Sequence, residues 1–197
     1  LGYMLTSILL ILNKFKFCSD MMVDLLSESI SHLNDLSDEL SKNRNLALDI
    51  AKETSKYSLI IYGLEDLTSM AGLRFKCQLA ENSKILAYNY NLPEQNHNEI
   101  EGWNSNLEEI KNKCIIWLRD DDESQELKRR IKITRNLLSK IAKKQIDVYQ
   151  AGPNLLVRTL KLIYLLDWVT FYKAIINKTD PTPIKMIMEF KKQIQKD

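Results

Sequence analysis

Surplus charge is the first thing the chain lacks: 28 Lys and Arg face 26 Asp and Glu over 197 residues, a formal net charge of +2. The two signs are interleaved, so no electrostatic footprint for a nucleic-acid backbone is present. Cysteine is also scarce. Cys18, Cys77 and Cys114 are odd in number, lie in apolar contexts and show no metal-ligand spacing, which points to buried free thiols in a reducing compartment. The longest apolar stretch, residues 3–12, is interrupted by Thr6 and Ser7 and stops at Asn13 and Lys14. That is too short to span a bilayer, and no basic region precedes it as in a signal peptide. Nucleic acid and membrane are therefore not expected partners, and a cytoplasmic location follows by elimination. Internal repeats and low-complexity segments are absent too.

What remains is an ordinary globular composition, 45% hydrophobic and 27% charged, with enough chain for one domain or one domain plus an appendage. Residues 1–57 read as helices only. The second of them carries Met22, Leu25, Leu26, Ile30, Leu33 and Leu36 at spacings of three and four, with Ser19 or Asp20 as its cap. His32 falls on its polar side and reads as a surface histidine. From residue 58 the pattern alternates. Strands are predicted at 58–62 (ended by Gly63), 84–91, 114–118 and 146–149, and helices at 68–82, 124–144, 155–176 and 182–194. Such alternation predicts an α/β fold, a three-layer α-β-α sandwich with a parallel sheet, preceded by connector helices. The sheet by itself says nothing of function.

The informative stretch is Glu81 to Trp103, ENSKILAYNYNLPEQNHNEIEGW. It reads as a helix end, a buried strand stopped by Pro93, and a polar loop opening a short helix. Gln95, Asn96, His97, Asn98 and Glu99 form one block of hydrogen-bonding side chains, out of place in a core. Asn98 can cap the next helix, with Glu101 reaching back as in a capping box. His97 is left without a local role, and a histidine side chain is suited to acid–base work. On the preceding helix the apolar stripe reads Met70, Leu73, Cys77, Ala80, which puts Glu81 at the edge of the packed face and in the last turn. Burial and the helix dipole both raise a carboxylate pKa, as a general base working near neutrality requires. The plainer reading is a surface glutamate paired with Lys84 or Lys76. Arg74 and Lys76 read as a solvated helix face, and Trp103, Trp117 and Trp168 as core or interface.

E-N-x-K followed by P-E-x-N-H-N-E-I-x-G-W resembles the signature of the bifunctional phosphoglucose/phosphomannose isomerases, two-domain members of the sugar-isomerase (SIS) superfamily. Its glutamate and histidine correspond to Glu81 and His97. The segments YGLEDLTSMAGLRFKCQLAENSK, LIYLLDWVTFYKAI and DPTPIKMI extend the likeness over most of the chain. One element of the pattern is missing: no Ser/Thr-rich phosphate loop of the S-x-S-G-N-T kind, which the family keeps in its first domain. The chain also begins at Leu1. It is therefore expected to be the second half of a longer protein, with 1–57 as a helical connector and 58–197 as the C-terminal SIS domain.

The resemblance implies aldose–ketose isomerisation of glucose 6-phosphate, with mannose 6-phosphate left open as a second substrate, and without metal or cofactor. Glu81 would move a proton between C2 and C1 through a cis-enediol. His97, supplied by the opposing subunit of a homodimer, would open the sugar ring. A terminal catalytic lysine would fall at Lys191 or Lys192. Two alternatives stay open: a sugar-phosphate-binding SIS module that senses without converting, and an interaction domain with a relict site.

Overall fold

Residues 59–64 and 114–118 are continuous apolar runs, the pattern of strands covered on both faces. In the computed structural model, which describes residues 2–65, 67–104, 107–142 and 144–195, they form the centre of a four-stranded sheet. The strands are β1 (Ser58–Leu64), β2 (Tyr88–Leu92), β3 (Lys113–Leu118) and β4 (Lys144–Val148). All run parallel in the order β2-β1-β3-β4. Three helices precede the sheet: α1 (Gly2–Lys14), α2 (Asp20–Leu40) and α3 (Leu46–Glu53). Between the strands lie α4 (Leu67–Asn82), α5 (Glu99–Gly102), α6 (Leu107–Lys111) and α7 (Gln125–Leu138). After β4 come α8 (Leu155–Ile176) and α9 (Lys185–Ile194).

Alternate residues of each central strand feed two cores. Leu59, Ile61, Cys114, Ile116 and Leu118 pack under α2, α3, α4 and α8. Ile60, Tyr62, Leu64, Ile115 and Trp117 pack with Trp103, Ile110 and α7's Ile131 and Leu138 on the other face. This is the expected three-layer sandwich. The packing runs across residue 57, since Leu36, Leu40, Ala47, Ile50 and Ala51 belong to the first core.

Caps explain several helix starts. Asn45, Ser124 and Asn154 each accept a backbone N–H with the side-chain oxygen, from Leu48, Leu127 and Val157 respectively. Ser19, expected to cap α2, makes no side-chain cap bond.

Four local expectations are corrected. Gly63 lies inside β1 instead of ending it. A Cβ there would meet the Cα of Ser69 at 2.8 Å, so the missing side chain admits the first turn of α4. The second strand starts at Tyr88 and not at 84, because Lys84 takes a left-handed backbone (φ 57°) as the chain leaves α4. It is also an edge strand, so Tyr88 and Tyr90 stay exposed. The helix expected over 124–144 ends at Leu138, where Ser139 caps it.

The fourth correction concerns α4. Its packed face carries Ala71, Phe75 and Leu79, whereas Met70, Leu73, Cys77 and Ala80 face outward and are exposed. Two apolar stripes with helical spacing run along this helix, and the sheet takes the one that the sequence reading does not favour. The thiols differ accordingly: Cys114 is buried, Cys18 half-buried and Cys77 exposed.

Candidate active site

The polar block after β2 stands at the C-terminal edge of the sheet. Leu92 pairs with Leu64 at the end of β1. A cis Leu92–Pro93 bond then leads into a 3-10 turn over Glu94–Asn96. Gln95 is only 1% exposed, so part of this block enters the core, against the expectation from its composition. The reason is a half-buried carboxylate. Glu99 Oε2 accepts from the Tyr62 hydroxyl (2.7 Å) and from Gln95 Nε2 (2.7 Å), while Oε1 accepts from Trp103 Nε1 (2.8 Å). The indole N–H is shared with the Tyr62 oxygen at 2.7 Å. Burial first, and the Glu99 charge second, push the Tyr62 pKa far above its usual value. Tyr62 therefore stays protonated and donates.

Asn96 completes the anchoring by donating to Gln95 Oε1 (2.7 Å) and to Thr134 Oγ1 on α7 (2.8 Å). The expected capping box does not form. Asn98 Oδ1 accepts the N–H of Glu99, its amide donates to Glu94, and Glu101 is exposed. In the middle of this framework His97 is exposed. Its backbone N–H is bonded to Glu94 O (2.9 Å), and its ring has no partner among the described residues.

Glu81 lies elsewhere. The end of α4 is pinned to α8: Asn82 Nδ2 donates to Thr170 Oγ1 (2.8 Å) and Ser83 Oγ to Thr170 O (2.7 Å). Glu81 is exposed at that end, off the packed face, and its backbone oxygen accepts from Lys84 Nζ. The residue borders a cleft of about 600 Å³ between the end of α4 and the start of α9. Lys84, Leu86, Asp180, Lys185 and Met186 are among its walls. Lys191 and Lys192 are exposed in the last turn of α9 and do not line this cleft. Of the other basic candidates, Arg74 pairs with Asp167 on α8 at 2.7 Å. Burial lifts the Asp167 carboxyl above its usual range, although Arg74 pulls the other way. Trp103 and Trp117 are core, Trp168 sits in a ring cluster with Tyr164, Phe171 and Tyr172 on α8, and His32 is half-exposed beside Glu28.

Glu81 and His97 thus sit at opposite edges of the sheet. The N-terminus of α4 is tied to the end of β1 by Leu64 N–H donating to Thr68 Oγ1. From Thr68 to Glu81 the helix runs back about 20 Å along the strands. A base and an acid serving one sugar must each come within hydrogen-bond reach of it. One copy of the chain does not bring these two residues together.

The crevice between β1 and β3, where open α/β sheets usually hold ligands, is already filled. Arg158 is buried and donates to both oxygens of Asp120 (2.8 and 3.1 Å) and to Asp122. Arg119 is held by Glu123 (2.6 and 2.5 Å) and Asp147 (3.2 Å). Burial alone raises Asp120, but its bonds and charge contact with Arg158 prevail and leave it below its usual range. After β1 the sequence reads Glu65-Asp66-Leu67 in place of a glycine- or serine-rich turn. Among the described residues no three His, Cys, Asp or Glu side chains gather as a metal site needs, and no helix is long and apolar enough to cross a membrane.

The quartet Tyr62, Gln95, Glu99 and Trp103 goes beyond the sequence reading. Its one sequence signal is the four-residue spacing of Gln95, Glu99 and Trp103, which places them on one face of a helical turn.

Known proteins resemble this chain in sequence and in architecture. The bifunctional phosphoglucose/phosphomannose isomerase of Caldicellulosiruptor bescii is 32% identical over 191 residues, 95% of this chain and 56% of that protein. The protein of the same name from Aquifex aeolicus is 32% identical over 185 residues, 91% of this chain and 57% of that protein. The chain therefore spans just over half the length of these relatives. Among solved structures, a glucose-6-phosphate isomerase like protein from Thermus thermophilus superposes with a TM-score of 0.65. Its identity is 16%, and the match covers 80% of this chain and 54% of that one. Glucosamine-6-phosphate deaminase from Thermotoga maritima gives 0.60 at 13% identity, covering 93% of this chain and 54% of that one. At such identities the likeness is one of fold. Residues 43–194 match the bacterial phospho-glucose isomerase C-terminal SIS domain, and the chain belongs to that family.

Proposed function

We propose that this chain is the C-terminal SIS half of an enzyme that isomerises glucose 6-phosphate and mannose 6-phosphate to fructose 6-phosphate. Residues 1–57 serve as the connector to a first SIS domain, which holds the phosphate. Glu81 is the base that carries the proton between C2 and C1 of the open-chain sugar through a cis-enediol, and His97 is the acid–base group for ring opening. Lys191, or its neighbour Lys192, is the terminal lysine of the site, on the helix whose start walls the Glu81 cleft.

The observation that carries the reading is the separation of Glu81 and His97. Each is exposed on a pinned segment, at opposite sheet edges, which fits a homodimer in which the histidine of one copy serves the glutamate of the other. The filled β1/β3 crevice supports placing the phosphate anchor outside this chain. Its guanidinium groups are neutralised and its loop is acidic, so an incoming phosphate would be repelled there.

Subunit complementation in the full-length protein tests this. Glu81→Gln and His97→Ala are each expected to be inactive alone. Mixed after dissociation and reassociation, they form heterodimers in which one of two sites is whole. Random pairing then returns about a quarter of parental activity, because a two-fold dimer carries two equivalent sites. No recovery on mixing would refute the shared site. A melting temperature raised by fructose 6-phosphate without any turnover by the parent would replace the enzyme with a sensor.

A further inference from the structure

His97 would be an ineffective acid–base group if its loop moved, and the chain invests its buried polar groups in preventing that. The residues two before and two after it, Gln95 and Glu99, are hydrogen-bonded to each other at 2.7 Å. The same Glu99 carboxylate takes Tyr62 from the central strand β1 and Trp103 from the end of α5. Three donors converge on two oxygens, and Tyr62, Gln95 and Trp103 are all buried. Asn96, adjacent to His97, is fastened to Gln95 and to α7. Four elements are thereby tied around one backbone position, while the imidazole itself is left exposed with its ring nitrogens free among the described residues.

We propose that Glu99 is a positioning residue: its triply bonded carboxylate fixes the angle at which this chain presents His97 to a substrate held by the other copy. The proposal rests on the functional reading above and goes beyond it. That reading gives Glu99 no role.

The test is a double-mutant cycle in the full-length protein. Glutamine at position 99 keeps the shape but offers one acceptor oxygen to three donors and turns its own N–H toward one of them. Glu99→Gln is expected to lower kcat by up to about 10²-fold, the effect of an ångström-scale misplacement, with KM little changed. In the His97→Ala background the same substitution should have no further effect. The exchanged pair Gln95→Glu/Glu99→Gln, which restores one carboxylate and one amide, should regain part of the lost rate. Trp103→Phe, which removes a single donor and keeps the packing, gives a milder variant if Glu99→Gln does not fold.

Equal loss from Glu99→Gln with and without His97 would make Glu99 merely structural and overturn the proposal. So would a kcat within about twofold of the parent, given that positioning errors act so steeply, or an exchanged pair that regains nothing. If His97→Ala itself left kcat unchanged, the functional reading would have failed first, and the two failures are distinguishable.

Discussion

Lys173 lies in the first core on α8 at 1% exposure, with its ammonium donating to Thr54 O (2.9 Å) and Thr54 Oγ1 (3.1 Å) at the end of α3. These acceptors are uncharged. Burial pushes the Lys173 pKa down from 10.5 to about 8, against a small upward pull from Cys114. The sign follows from proton counting. Between pH 8 and 10.5 the unfolded chain holds a proton that the folded chain has released, so folding is favoured increasingly as pH rises. Taking those two values, the gain from pH 7 to pH 9 is on the order of 1 kcal/mol. Cys114 works the other way: burial lifts its thiol from 9.0 to about 12, so the unfolded chain ionises first and stability falls above pH 9. Comparing Lys173→Met with its parent, both in a Cys114→Ala background, removes that contribution. The lost hydrogen bonds add an offset that does not depend on pH, and Thr54 O keeps a donor in Tyr57 N–H (3.1 Å). Urea unfolding at constant ionic strength should therefore show the parent gaining about 1 kcal/mol on the methionine variant between pH 7 and 9. A difference constant over that range, or one that shrinks, would mean that Lys173 is not a charge buried without a carboxylate, and the reasoning would be wrong.

Other outcomes are open to direct measurement. The 197-residue chain alone should isomerise glucose 6-phosphate slowly or not at all, because binding energy from a remote phosphate anchor is what orients the reacting carbons; turnover at rates usual for metabolic enzymes would refute the half-site reading. In the full-length protein Glu81→Gln should abolish C2 proton exchange with solvent by at least the roughly 10²–10⁴-fold of a positioned base, whereas His97→Ala should slow the ring form more than an acyclic analogue; isotope exchange on both substrates separates them. Gly63→Ala should destabilise by about 1–3 kcal/mol, since the backbone of Ser69 must move, and thermal unfolding should show a fall of several degrees; an unchanged melting temperature would mean that α4 can shift freely.

Much of the fold was legible because the central strands and α8 obey one rule each. Beyond their polar first residues, strands β1 and β3 are unbroken apolar runs, and α8 is a long apolar helix behind an asparagine cap, so its ends fall where the sequence places them. Edges were harder. A strand with one bare flank keeps Tyr88 and Tyr90 in solvent, and its start depends on a left-handed Lys84 that no residue preference announces. The face of α4 is ambiguous for a reason a single chain cannot avoid: Ala71, Phe75 and Leu79 share the helical spacing of Met70, Leu73, Cys77 and Ala80. Apolar residues on both stripes mean that either could be the covered one, and the sheet takes only one side.

The sequence singles out two candidate residues but not how they are arranged. The string around Glu81 and His97 names them, but nothing in it says that sixteen residues of chain separate opposite edges of a sheet. That follows only from the direction of α4, which runs against the strands and ends where they begin. Nor does the string reveal why it is so long. Of its polar members, Gln95, Asn96 and Glu99 bond to one another, to Tyr62 and Trp103, and to α7, and none of these bonds involves the ring of His97. A single acid–base group needs one residue. In the reading proposed above, holding that group still takes the rest. A fixed, exposed imidazole at one edge and an exposed carboxylate on a pinned helix end at the other are of little use to each other in one chain. In the proposed dimer they become a site, when a second copy, related by a two-fold axis, sets one edge against the other.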